Sequence, residues 1–185
     1  MSRAPLTVRL ESENYVLRTV TESDDQGDWC DWINDPDTAR LLNARPARLA
    51  PDDFRNYVEG FDCINNYLLG IFPKGSEKLV GVWAVYVDWP NSRFLVNVII
   101  GAGDDRHKGG RKETSDLINR FFFEDMGLLN QYCSAVSTND AIIGVLTSKS
   151  WKIIGRQQKP AASGVGTVEI LEFSLPRDVW RSRPK

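Results

Sequence analysis

Residues 104–117 read DDRHKGGRKETSDL. From Arg106 to Lys112 this stretch sets His107, Lys108, Arg111 and two adjacent glycines beside one another. The chemistry such a group suits is the holding of a ligand with several negative charges. Glycines let the backbone close on a ligand without a Cβ in the way. The free N–H groups and partial positive charge of a helix start attract anions, and basic side chains nearby add a cationic collar. Together these make a pyrophosphate cradle. The spacing downstream supplies the helix: Leu117, Ile118, Phe121, Phe122 and Met126 fall on one face, and Gly127 is placed to end it. Upstream, RFLVNVIIG (93–101) is a nearly unbroken apolar run, as expected of a strand buried on both faces. The glycine-bearing stretch therefore joins a strand to a helix. It is not a Walker loop, which needs G-x-x-x-x-G-K-[ST], and GAG at 101–103 lacks the third glycine of a dinucleotide fingerprint.

Other chemistries find less support. The three cysteines, Cys30, Cys63 and Cys133, are scattered with no CxxC spacing, and His107 is the single histidine, so neither a disulfide framework nor a metal centre is expected. The net charge of −2 gives no global attraction to nucleic acid or to an anionic membrane, so any anion site must be local. No stretch nears the roughly 20 apolar residues of a membrane span. A reduced, cytoplasmic protein is expected.

The elements that must position the cradle follow from periodicity. A short strand is expected at 15–21. Ser23 and Gln26 have capping-box spacing, which predicts a helix carrying Trp29, Trp32 and Ile33 and stopped by Asn34-Asp35-Pro36. A polar stretch leads to a second helix from Pro51, with Phe54, Tyr57, Val58 and Phe61 at helical spacing. Three β segments, NNYLLGIFPKG, EKLVGVWAVYVDWPNS and RFLVNVIIG, have hairpin-length connections and predict an antiparallel meander. After the glycine-bearing helix come a strand (YCSAVST) and a helix capped by Thr138 or Asn139, with Ala141, Ile142, Val145 and Leu146 inward. Two strands close the chain, WKIIGRQQ and TVEILEFSL, with a basic, frayed tail. With no repeat or linker, the reading is one α/β (α+β) domain over 1–185, its core at about 8–176.

Arg106-His107-Lys108-Gly109-Gly110-Arg111 resembles [QR]-x-x-G-x-[GA], the acyl-CoA pyrophosphate loop of the GNAT superfamily of N-acetyltransferases, with Arg111 where Gly or Ala is usual. The order of elements from about 8 to 176 is similar to that family throughout. WINDPDTARLL, KLVGVWAVYVD and the block LNQYCSAVSTNDAIIGVLTSKSWKIIG resemble the branch that includes ribosomal-protein Nα-acetyltransferases. Asn139 and Trp151 match its Asn and aromatic positions, whereas Ile142 and Ser150 stand where Ser or Ala, and Gly, are usual.

The resemblance implies a mixed, mostly antiparallel twisted sheet of about seven strands. Helices would cover both faces, and the two strands beside the loop would splay apart around acetyl-CoA as cosubstrate. Val98, Ile99 and Ile100 would bind the pantetheine arm. Backbone N–H groups from Lys108 through Gly109, Gly110 and Arg111 to Lys112 would hold the pyrophosphate, with Arg106 and His107 alongside, and Asn139 would contact the arm. Trp29, Trp32 and the 38–50 loop lie where the family builds its acceptor wall, so the resemblance implies that some of them line that pocket without saying which. The resemblance implies no metal, and leaves monomer and homodimer both open. Its usual proton carriers are replaced: Leu95 and Asn97 stand near the place of the strand carboxylate, and Ile142 and Leu146 in the places of the thiolate acid. Ser148 or Ser150 is the substitute acid and Glu169 or Glu172 the substitute base. Glu169 and Glu172 are three apart, so they point to opposite faces of the sheet. Cys133 would lie beside the thioester, where a small buried apolar side chain is the plainer role. Two activities are consistent with these residues: an N-acetyltransferase acting on a primary amine, and a GNAT-fold acyl-CoA-binding or regulatory protein with little turnover.

Overall fold

The computed structural model describes residues 3–24, 29–44, 51–101 and 109–183. Eight strands form one sheet: β1 Arg9–Glu11, β2 Tyr15–Thr19, β3 Asn66–Pro73, β4 Gly81–Asp88, β5 Arg93–Ile100, β6 Asn130–Val136, β7 Lys152–Pro160 and β8 Thr167–Pro176. Their spatial order is β1-β2-β3-β4-β5-β6-β8-β7. All neighbours are antiparallel except β5 and β6, which run parallel. The expected meander is β3–β5. The eighth strand is β1, only three residues long and so without a readable period.

Each face of the sheet carries its own core. On one face lie α4 (Gly110–Arg120), a π-helical turn (Phe121–Asp125) and α5 (Asp140–Ser148). Leu17, Tyr67, Val85, Phe94 and Ile118 are packed there with Phe121, Phe122 and Phe123. An α-helix cannot bury three consecutive side chains on one face. The π turn, closed by the Met126 N–H donating to the Phe121 carbonyl, rotates the chain enough to bury all three. Gly127, at φ +74°, ends it as expected. On the other face α1 (Trp29–Asn34) and α3 (Pro51–Glu59) join Phe72, Val82 and Ala84 in a second core, and α2 (Pro36–Leu42) follows α1.

Three expectations are corrected. Asn34-Asp35-Pro36 does stop the first helix, α1 ending at Asn34, but Pro36 at once starts a further helix in a stretch expected to be only a polar connection. Asp35 caps α2, its carboxylate accepting from the Thr38 N–H (2.9 Å) and hydroxyl (2.7 Å). Proline at the first helical position lacks only an N–H that no helix partner needs. Most of the basic tail is ordered rather than frayed, because Arg177–Arg181 forms α6. Trp180 packs on Phe123 (5.4 Å between centroids), and Arg181 is paired with Glu124. Finally, β5 is not buried on both faces. Phe94 and Val96 are buried, but Leu95 and Asn97 are exposed on the other side. That exposed side bears on the site. No helix among the described residues is long and apolar enough to cross a membrane.

Candidate active site

β5 and β6 pair only at their beginnings, Arg93 with Asn130, Phe94 with Gln131 and Leu95 with Tyr132. Beyond Leu95 and Tyr132 the ladder stops. Each strand remains tied to its other neighbour, β5 to β4 as far as Ile100 and β6 to β8 as far as Val136. The sheet therefore opens as a wedge, and the wedge holds a cavity of about 580 Å³. Val96–Ile100 form one wall and Cys133, Ser134 and Ala135 the other. Thr38, Leu41 and Leu42 of α2 close it on one face. Arg111 and Lys112 of α4 and Asn139, Ile142, Val145 and Leu146 of α5 close it on the other. Such a slot is walled mostly by apolar side chains and by strand backbone, which suits an extended amide chain.

The start of α4 sits at the mouth of this wedge. Gly109 precedes it with φ +83°, a left-handed conformation that a side chain adopts only at a cost of about 1–2 kcal/mol. Gly110 is packed against Tyr15, and a Cβ there would stand 3.2 Å from the ring. The indole N–H of Trp83 on β4 donates to the Thr114 hydroxyl (2.9 Å), which in turn donates to the Gly110 carbonyl (2.6 Å). The Glu113 carboxylate accepts from the Asn14 side chain (2.9 Å) and backbone (3.1 Å). The first turn of α4 is thus pinned at a fixed place and angle, which an anion cradle of backbone N–H groups requires.

The electrostatics of the mouth are one-sided. Burial lowers the pKa values of Arg111, Lys149 and Arg183 from their ordinary values. Lys149 is raised in part by Asp116 and lowered further by Arg111, Arg183 and Lys112. Cations that depress one another's charge gain from an anion placed among them. Cys133, behind them in the wedge, is pushed up to about 12, chiefly by burial and against the pull of Arg111. Its thiol is neutral at physiological pH, hence no nucleophile. We expect Cys133 to resist iodoacetamide at pH 8, labelling on the order of 100-fold more slowly than a free thiol when followed by peptide mass spectrometry.

The sequence-derived site residues separate into three groups. Val98, Ile99, Ile100, Arg111, Lys112, Asn139 and Ser148 all line the wedge, and Gly109 and Gly110 form the start of α4 at its mouth. Asn139 caps α5, accepting from the Ile142 N–H at 3.4 Å. The Ser148 hydroxyl donates to the Val145 carbonyl (2.9 Å). Arg106, His107 and Lys108 lie outside the described residues, as do Gln26 and the end of the 38–50 stretch. Glu169 lines no wall of the wedge. It shares the α5 side of β8 with Leu171 and Phe173 and meets Arg156 at 3.3 Å. Trp29 and Trp32 are buried core residues and do not border the wedge. Sequence reasoning missed the α2 contribution because the stretch after the stop at 34–36 was read as a polar connection. The signal was there in Asp35-Pro36-Asp37-Thr38, a cap followed by proline.

No family model matches the sequence, and no curated protein resembles it in sequence. Solved structures do resemble it in three dimensions. A GNAT-family acetyltransferase from Bacillus anthracis superposes with a TM-score of 0.73 at 15% identity, over 92% of this chain and 99% of that one. Spermidine N-acetyltransferase from Vibrio cholerae, in complex with CoA and spermine, gives 0.77 at 11% identity, over 92% and 100%. Ribosomal-protein-S5-alanine acetyltransferase from Vibrio fischeri gives 0.72 at 17%, over 96% and 100%. The chain has the GNAT fold. The neighbours span several acetyltransferases, and the ribosomal-protein enzyme is one among them. In this chain's version of the GNAT fold the parallel pair that separates is β5 and β6, with α4 at the wide end of the gap.

Proposed function

We propose that the chain is an acetyl-CoA-dependent N-acetyltransferase acting on a primary amine. One observation carries the reading: the ladder between β5 and β6 ends at Leu95 and Tyr132, and the resulting apolar wedge opens onto the pinned, glycine-started and cation-ringed N-terminus of α4. The dimensions suit a pantetheine arm in the gap and a pyrophosphate at the helix start. Val98, Ile99 and Ile100 would pair with the arm through their backbone, and Asn139 would meet it from α5. Gly109, Gly110, Arg111 and Lys112 would hold the phosphates, with Arg106, His107 and Lys108 from the preceding loop. A neutral amine would then attack the thioester carbon, and an acid would supply the departing thiolate with a proton. Ser148, at the wedge wall, is the proposed donor.

The alternative reading is an acyl-CoA-binding or regulatory protein with little turnover. It is favoured by Ile142 and Leu146, which wall the wedge without an ionisable atom.

Calorimetry tests the binding step. Wild type is expected to bind acetyl-CoA and CoA with micromolar affinity. Gly109→Ala and Gly109→Glu share the same backbone strain at φ +83°, so a loss confined to Gly109→Glu reports charge at the phosphate cradle. Absence of binding by wild type overturns the enzyme reading and leaves only a regulatory role that does not use acyl-CoA. Binding without thiol release over a broad amine panel favours the second.

A further inference from the structure

The wedge passes through the sheet, and a second cavity of about 490 Å³ lies beside it, lined by β4, β5, β6, β7 and β8. Cys133 and Ser134 line both cavities. Leu95, the last residue of β5 paired to β6, lines the second one. A group held there therefore meets a group held in the wedge where the two strands part. The second cavity also contains Glu172. Its register partner on β6 is Ser134, so the two side chains lie on one face with Cβ atoms about 5 Å apart.

The carboxylate of Glu172 has a prepared place. β7 bulges between Ile153 and Gly155, and Gly155 lies opposite Glu172. A Cβ on Gly155 would stand 2.4 Å from Glu172 Oε2, so glycine there lets the carboxylate keep this position and any side chain would shift it. Glu172 Oε1 accepts from the Gln157 side-chain amide at 2.7 Å. That bond orients the group and brings no charge. Bulges recur beside active sites because they re-aim a side chain.

The rest of the lining selects the ligand. Tyr86, Leu95 and Ile154, each an exposed large hydrophobic residue, gather at this cavity. Tyr86 is backed by Phe61 (6.0 Å) and Phe61 by Tyr57 (5.1 Å), which makes that wall stiff. Asp88 and Arg93 face each other at 2.8 Å. Lys159, opposite Val168 four residues along β8 from Glu172, adds a positive charge to the same cavity. One ammonium suits Glu172, and a second one finds Lys159 and the Asp88–Arg93 pair, which offers no net negative charge.

We propose that this cavity takes a primary monoamine on an apolar or aromatic body, and that Glu172 receives its ammonium and removes its proton. This rests on the acetyl-transfer reading above. The ammonium gives one proton to Glu172 Oε2. The neutral nitrogen attacks the thioester carbonyl carbon, the C–N bond forms and the C–S bond breaks. The second nitrogen proton leaves to solvent as the thiolate gains one, giving the N-acetyl amine and free CoA thiol. Glu172 then releases its proton to water.

The test measures thiol release from acetyl-CoA with 2-phenylethylamine and with spermidine, alongside calorimetric binding of CoA. Wild type is expected to prefer 2-phenylethylamine at least 10-fold in kcat/KM. Glu172→Gln should lower kcat about 100-fold with CoA affinity unchanged within twofold. Gly155→Ala, which displaces the carboxylate and leaves it in the chain, should lower kcat about 10-fold. Tyr86→Ala should raise KM with kcat nearly constant. Glu172→Gln turning over as wild type, or spermidine preferred to 2-phenylethylamine, overturns this inference and leaves the acetyl-transfer reading standing. A wild type that binds CoA and consumes neither amine also overturns it. A wild type that does not bind acetyl-CoA overturns both.

Discussion

Phe122→Ala is expected to cost about 3–5 kcal/mol of stability, the largest loss from a single truncation considered in this protein. Phe122 is fully buried. Its ring is stacked on Phe94 (5.1 Å between centroids) and meets Tyr67 (5.4 Å) and Phe121 (5.0 Å) edge-on. Removing it deletes aromatic surface shared by β3, β5 and the π turn, and a close-packed core refills such a space only in part. A domain holds about 5–15 kcal/mol in total. For a chain of this size each kcal/mol moves Tm by roughly 2–4 °C, so the variant should melt about 6–20 °C below wild type. Urea unfolding gives the free energy directly. Leu95→Ala also truncates a large apolar side chain, but on β5, where it stands on the open face and is 38% exposed. Its cost should stay near 0.5 kcal/mol. Equal losses in the two variants would mean that the open face of β5 is covered in solution.

The Phe122 cluster also bears on the site. Phe94 is paired with Gln131 in the short stretch of ladder between β5 and β6. The packed rings beneath it hold the strands together just before they part. The wedge thus opens next to a densely packed aromatic cluster.

Arg111→Glu is the second large effect, and it falls on binding. Affinity for acetyl-CoA should drop roughly 100-fold, the equivalent of about 2.7 kcal/mol. A charge-assisted contact to a phosphate contributes about 1.5–3 kcal/mol. Arg111→Gln, which removes the attraction without adding repulsion, should cost about tenfold. Arg111 is displaced from its ordinary state by burial, so its positive charge is held in readiness for an anion. Lys149 gives the pH dependence. Its folded pKa lies below the ordinary 10.5 through burial and its cationic neighbours. In the window between that lowered value and 10.5 the free protein has lost the Lys149 proton, and binding a polyanion must restore it. Affinity should therefore fall as pH rises through the window, with proton uptake visible as a buffer-dependent heat in calorimetry. Below the window Lys149 is charged in both states and the dependence vanishes. Salt at 1 M, where screening reaches only about 3 Å, should weaken binding further. An affinity indifferent to Arg111→Glu and to salt would remove the phosphates from the start of α4.

By itself the sequence determined the features that are written locally. The meander β3–β5 follows from alternating and β-branched runs with hairpin-length turns. The start of α4 follows from two glycines set before a helical apolar stripe, and the cap of α5 from Asn139. The stretch expected to form the anion cradle stands out because its parts are neighbours in the chain. The tertiary structure alone decided what depends on distant pairing. Where β5 leaves β6 is set by the register of Leu95 with Tyr132, two residues whose own runs give no sign of it. The order of Glu169 and Glu172 showed that they face opposite ways, because side chains alternate along a strand. Only the fold placed Glu169 on the side of β8 that α5 covers and Glu172 on the other, where it lines a cavity. Pro36 is the same lesson at shorter range. Its fixed φ suits both a stop and a first helical position, and only the Asp35 cap on Thr38, together with the packing of α2 over the wedge, made it a start.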